Sequence, residues 1–237
     1  MTEKRDFKNI NYSGSNKAED VLEWAFSEFD PNIVMACSFE APILVHMAVA
    51  INPDIRIFSI DTGRLPEETY QCAQDLEDLY GIKIEWYFPK YDAVETLERE
   101  KGVYSFKQSI NARHECCGIR KVEPLSRALA GQNAWITSLR KSQSQSRIKI
   151  SKVEYDEAHG GIIKINPMVD WTQEDVWQYL KKNRVPYNRL LDRGYMSIGC
   201  SCCTKAIEFG GTPRSGRWWW EQSEHKECGL HQNNYSI

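Results

Sequence analysis

Two rhythms of apolar residues alternate along the first ninety positions. In "KAEDVLEWAFSEF" (Lys17 to Phe29) apolar side chains recur at helical spacing, whereas "NIVMACS" (Asn32 to Ser38) is a short apolar run ending on a small polar residue. The first predicts an amphipathic helix and the second a buried strand. The succession continues with "APILVHMAVAI" as a helix, "IRIFSID" (Ile55 to Asp61) as a strand, "PEETYQCAQDLEDLY" as a helix and "KIEWYF" (Lys83 to Phe88) as a third strand. "AWITSLR" (Ala134 to Arg140) adds a further strand with the loop at its carboxyl end. Alternation of this kind predicts an α/β fold: a mainly parallel, twisted sheet with helices on both faces.

Past residue 150 the rhythm loosens. "GGIIKINPMVDW" can pair as strands, and "TQEDVWQYLKK" reads as a helix with Thr172 as its N-cap. Asp175, three residues on, is a loose relative of the capping-box partner, which is usually Glu or Gln. The end, "EQSEHKECGLHQNNYSI", has no apolar period and is expected to be a mobile tail. The predicted organisation is one α/β domain over residues 1–220 and a tail over 221–237. In such sheets ligands bind beyond the carboxyl ends of the strands. The polar strand ends "CSFEAP", "DTGRLP" and "TSLRKSQSQSR" should therefore converge on one crevice.

Composition narrows the function. The chain of 237 residues carries a formal net charge of -3, which argues against a nucleic-acid binder that works by broad phosphate neutralisation. It has no apolar run of membrane-spanning length and no apolar core of a signal peptide near its start, so a soluble, cytoplasmic protein is expected. Its eight cysteines are then better read as reduced, metal-binding or catalytic thiols than as disulfides.

The thiols cluster. "HECCGIRK" sets Cys116 beside Cys117, and "GCSCCT" supplies a C-x-x-C pair at Cys200 and Cys203, with Cys202 between them. Four thiolates are the usual complement of a structural zinc ion or a 4Fe-4S cluster. Zinc sites normally draw thiols two to four residues apart, whereas adjacent side chains diverge by about 100° on a helix or about 180° on a strand. A cubane offers each sulfur a different iron corner, so the adjacent pair favours the cluster. Cys37 and Cys72 read as core residues. Cys228 stands apart in "HKECGLH", with Lys226 two residues before it and His225 and His231 each three away. Neighbouring cations lower a thiol's pKa and mark a candidate nucleophile. Arg113, His114, Arg120 and Lys121 surround the first pair, and "TPRSGRWWWE" adds Arg214 and Arg217; such cations near thiolates suit an anionic substrate.

Together "DTGRLPEETY", "HECCGIRKVEPLSRAL", "WITSLRKSQSQSR", "DWTQEDVWQYL", "GYMSIGCSCCT", "GRWWWE" and "KECGLH" resemble the assimilatory adenylyl-sulfate (APS) reductases, over about Met35 to His231. The resemblance implies a fold of the ATP-pyrophosphatase type (adenine nucleotide alpha hydrolase-like) and a 4Fe-4S cluster held by Cys116, Cys117, Cys200 and Cys203. It also implies thiol-dependent reduction of APS to sulfite and AMP through a cysteine S-sulfonate, with Cys228 as nucleophile. Lys121, Arg214 and Arg217 match the residues that hold the phosphosulfate, with His231 closing over it. The strand-end residues Ser38, Asp61, Thr62, Gly63, Arg64, Thr137, Ser138 and Arg140 would contact the nucleotide. Thioredoxin or glutaredoxin would supply the electrons, and family members are commonly oligomers.

The chain departs from that pattern in three places. "SFEAPIL" has no glycine where the family's first loop usually has one, Ser138 stands where glycine is common, and Leu191 where His is frequent. Competing functions are a 3'-phosphoadenylyl-sulfate (PAPS) or dual-specificity reductase, an ATP-pyrophosphatase-like ligase or thiolase, and a zinc-stabilised binding module. PAPS reductases typically lack the two cysteine pairs. The weak glycine loop counts against the ligase, and the binding module leaves Cys228 unexplained.

Overall fold

The structure is a computed structural model that describes residues 10–207, 210–221 and 230. Six strands, β1 (Ile33–Ala36), β2 (Arg56–Ile60), β3 (Ile84–Tyr87), β4 (Ala134–Ile136), β5 (Val153–Asp156) and β6 (Ile162–Ile165), form one sheet in the order β3-β2-β1-β4-β6-β5. All neighbours pair in parallel except β5, which runs antiparallel to β6 at the edge. The helices are α1 (Ala18–Phe29), α2 (Ile43–Ile51), α3 (Glu67–Tyr80), α4 (Tyr91–Lys101), α5 (Ile110–Cys117), α6 (Glu123–Ala128) and α7 (Gln173–Asn183).

The period of two along each strand sorts side chains to two cores. Ile33, Met35, Ile57, Ala134 and Ile136 pack with α1, α2, α3 and α7, while Val34, Phe58 and Trp135 face α6 on the other side. Helices therefore cover both faces, as alternation predicted. Among the described residues no helix is long and apolar enough to cross a membrane.

The apolar rhythm does not reveal α4, α5 or α6. The side chain buried on α4 is Leu97, and those buried on α5 are Arg113, Cys116 and Cys117, so neither carries an apolar stripe to read. Of "GGIIKINPMVDW", only Ile162–Ile165 is a strand, and its hairpin partner is Val153–Asp156. At α7 the short Asp175 closes a full reciprocal box. Its carboxylate accepts the Thr172 N–H at 2.8 Å while the Thr172 hydroxyl accepts the Asp175 N–H at 3.1 Å.

The chain leaves β1 towards β2 on one side and reaches β4 on the other, so the order reverses between β1 and β4. That switch point is where an open α/β sheet leaves a crevice beyond its strand ends.

Candidate active site

A cavity of about 210 Å³ opens at this switch point. A single water needs only ~10–15 Å³, so this space suits a ligand. Ser38 reaches it from the end of β1, Thr62 from the end of β2, and Thr137, Ser138 and Arg140 from the end of β4. Lys121, Arg214 and Arg217 supply cations from two further segments, and Cys200 forms part of the wall. Eight of the residues expected to touch substrate thus meet at one cavity. Asp61, Gly63 and Arg64 are not among its lining residues. Instead they build the turn behind it. The Asp61 carboxylate accepts the Gly63 N–H at 2.7 Å and the Tyr70 hydroxyl at 2.9 Å, and Gly63 takes a left-handed φ of 70°. Cys228 and His231 lie outside the described residues, as does most of the expected tail.

Two arginines on the cavity wall carry buried donors. Arg140 is 3 % exposed and Arg217 5 % exposed, and the Nε of each is buried with no hydrogen-bond partner among the described residues. One further nitrogen of each is anchored, Arg140 Nη2 to Gln173 at 3.0 Å and Arg217 Nη1 to the Ile198 carbonyl at 3.1 Å. A buried donor left over in a guanidinium held in place at one end suits an anionic ligand. Burial also lowers the pKa of Arg140.

The thiols lie against this cavity. Cys116, Cys117, Cys200 and Cys203 are all buried in one cluster with Trp218, Phe106 and Leu97, whereas Cys202 is half-buried. Cys116 and Cys117 end α5, and a π-helical turn, Gly118–Val122, follows at once. Lys121 sits in that wider turn, four residues beyond Cys117. π-turns of this kind concentrate at functional sites. The Cys203 thiol donates towards Cys200, and with Lys121 and Arg217 facing it Cys200 falls well below the usual thiol range despite burial. Cys203, as the donor, is pushed up. Burial raises Cys116 against the pull of Arg64 and Arg120.

No group of three or more His, Cys, Asp or Glu among the described residues is arranged to hold a single metal ion. The donor set nevertheless fits a polynuclear cluster in its chemistry. Four buried thiols from two segments are matched by Arg64, Arg120, Lys121 and Arg217, whose charges bear on them. Without such cations four buried thiolates would repel one another.

Cys72 is buried, and Cys37 lines the cavity one residue past β1; burial pushes the Cys37 thiol up to about 12, so it is protonated at neutral pH. The glycine-free first loop makes its left-handed turn at Phe39 (φ 55°), whose buried ring stacks near Trp86. Glu40 and Arg147 also line the cavity, and neither was singled out from the sequence. The Glu40 carboxylate accepts the Ile198 N–H at 3.0 Å, bracing the first loop against "GYMSIGC". Arg147 lay in plain view within "TSLRKSQSQSR", but only its burial separates it from the other cations there.

Residues 32–206 match the phosphoadenosine phosphosulfate reductase domain family. The chain is 45 % identical over 221 residues to the adenosine 5'-phosphosulfate reductase of Allochromatium vinosum, covering 92 % of this chain and 86 % of the relative. Among solved structures it is similar to the phosphoadenylyl-sulfate (PAPS) reductase of Candida auris in its phosphate complex, with TM-score 0.67 and 30 % identity over 81 % of this chain and 90 % of that one. The FMN adenylyltransferase of Candida glabrata, in complex with FAD and inorganic pyrophosphate, superposes with TM-score 0.56 at 12 % identity, over 96 % of this chain and 81 % of that one, and shows the shared fold alone.

Proposed function

The chain belongs to the phosphoadenosine phosphosulfate reductase domain family and is an oxidoreductase that reduces adenosine 5'-phosphosulfate in sulfate assimilation; from that premise we propose that it works through an S-sulfonate on Cys228. The Cys228 thiolate attacks the sulfate sulfur, the bond from sulfur to the bridging phosphate oxygen breaks, and AMP leaves with the electron pair. A thiolate of a thioredoxin or glutaredoxin then attacks the Cys228 sulfur and expels sulfite. The resulting mixed disulfide is resolved by the donor's second thiol, which restores Cys228 and leaves the donor oxidised by two electrons.

Bringing a thiolate to a sulfate already bearing negative oxygens is unfavourable, and fixed cations at the phosphosulfate lower that barrier. Lys121, Arg214 and Arg217 are assigned this role, with His231 arriving on the tail. Ser38, Thr62, Thr137, Ser138 and Arg140 are assigned to the nucleotide, while Asp61, Gly63 and Arg64 support the turn behind it. Residues 221–237 act as an arm that brings Cys228 to the cavity and then presents its S-sulfonate to the donor.

Cys116, Cys117, Cys200 and Cys203 would hold a 4Fe-4S cluster. When bound, the cluster supplies a fixed electrostatic element beside the substrate without changing oxidation state. The residence of Cys200 in both the thiol cluster and the cavity wall, facing Lys121 and Arg217, is the observation that carries this reading.

The test is anaerobic turnover of APS and PAPS in parallel, with thioredoxin as reductant and sulfite as readout, for wild type and Cys228→Ser. Sulfite from APS that vanishes in the variant is the expected result. Sulfite persisting in Cys228→Ser would exclude Cys228 as nucleophile, and equal turnover of PAPS would make the enzyme dual in specificity.

A further inference from the structure

Glu98, on α4, lies outside the cavity lining and within no motif of the resemblance, yet one of its carboxylate oxygens joins two arginines. Glu98 Oε1 accepts from Arg64 Nη2 at 2.7 Å and also from Arg120 Nη2. The side chains of both arginines are well buried, at 14 % and 6 % exposure, and each belongs to a different half of the thiol site. Arg120 stands in the π-turn that directly follows Cys116 and Cys117. Arg64 belongs with the other half: its carbonyl accepts the Ser201 N–H at 2.8 Å, and its own N–H donates to Thr62, whose hydroxyl lies 3.3 Å from Cys200 Sγ. Arg120 Nη1 completes the ring of contacts by donating to the Thr62 carbonyl at 2.7 Å.

Two guanidiniums converging beside buried thiols repel each other unless an anion sits between them. Glu98 is that anion. We infer that Glu98 is a positioning residue for the thiol site, holding the two cysteine-bearing segments at the spacing needed to share one iron-sulfur cluster. This rests on the reading of the four cysteines as cluster ligands. The carboxylate acts through Arg64 and Arg120 and touches neither sulfur nor substrate. Arg64 keeps a second anchor at the Val103 carbonyl, 2.8 Å away, so removing Glu98 disturbs the register of the site more than the fold around it.

The test compares wild type, Glu98→Gln and Glu98→Ala, purified and reconstituted anaerobically. Iron and acid-labile sulfide per chain, the visible spectrum, and the rate of iron release to a chelator are measured, together with the thermal midpoint of each apo-protein. Outer contacts to a metal site are typically worth about 10- to 100-fold in metal affinity. Glu98→Ala should release iron faster by about that factor, Glu98→Gln by less, with apo midpoints close to wild type and KM for APS unchanged. Chelator release and spectrum indistinguishable from wild type in both variants would overturn the role of Glu98. So would apo midpoints that fall while holo release stays normal, which is the signature of a general fold contact. A wild type that never takes up iron and sulfide would overturn the ligand reading itself, and with it this inference.

Discussion

At the scale of single residues, the site is tuned by a space as much as by charges. A Cβ built on Gly199 would lie 2.3 Å from Arg217 Nη2 and 2.6 Å from its Cζ. The arginine can occupy its buried place over Trp218 only because position 199 has no side chain. Alanine there should displace the guanidinium from the cavity instead of breaking the backbone, since the colliding atoms are the end of a flexible side chain. On the proposed assignment Arg217→Ala removes one donor from the phosphosulfate and should lower kcat/KM by about 10²- to 10³-fold. Gly199→Ala should act in the same direction, and the double variant should be no worse than Arg217→Ala alone, because both changes abolish one interaction. Steady-state kinetics of the cycle checks this; additive losses would mean that Gly199 acts by another route. The tightness of that fit is invisible in the string "SIGCSCC", which announces its thiols but not the arginine folded over its glycine.

At the scale of elements, the edge hairpin β5–β6 is tied to the central sheet by a buried polar knot. Asp156 accepts from Trp135 Nε1 at 3.1 Å and pairs with His159 Nδ1 at 2.9 Å. Burial alone would raise the Asp156 pKa, but His159, Lys164 and Trp135 outweigh it and the carboxyl ends below its ordinary value near 3.8. A depressed folded pKa means that the ionised carboxylate stabilises fully above the unfolded value and loses that contribution as pH falls through the folded one. Asp156→Asn should therefore cost about 1–3 kcal/mol in urea unfolding at pH 7, the penalty of a buried partner lost. The gap to wild type should still be open at pH 5 and narrow only below about 4; a gap already closed at pH 5 would overturn the role of the ionised carboxylate. The sequence made β1, β2, β3 and α7 legible because their apolar residues repeat at a clean period. The same criterion was blind to α5 and its π-turn, whose buried face is made of Arg113, the two cysteines, Arg120 and Lys121. The site was legible through its cysteine spacing and basic clusters, while Glu40, Glu98 and Arg147 became distinguishable from surface charges only once the sheet had brought distant loops together.

At the scale of the whole molecule, the reversal of strand order places the cavity beside the thiol cluster, and on the proposed mechanism the remaining component comes from the tail. Leu230, two positions beyond Cys228, is half-buried between two apolar clusters, one holding Cys116, Cys117, Cys200 and Trp218 and the other Leu125, Phe58 and Trp135. Leu125 of one cluster and Cys200 of the other also line the cavity. On the proposed mechanism this contact favours the arm's closed position and should matter only in the step that needs it. Truncating a half-buried leucine costs about 1 kcal/mol of apolar burial, which lowers the closed-to-open ratio by roughly fivefold. Leu230→Ala should slow S-sulfonate formation, by up to about that factor, in single-turnover experiments followed by intact mass. Sulfite release from preformed S-sulfonate should keep the wild-type rate, because the donor's thiol attacks with the arm open. Equal slowing of both steps would show that Leu230 supports the arm's general integrity, and no change in either would remove it from the closing contact.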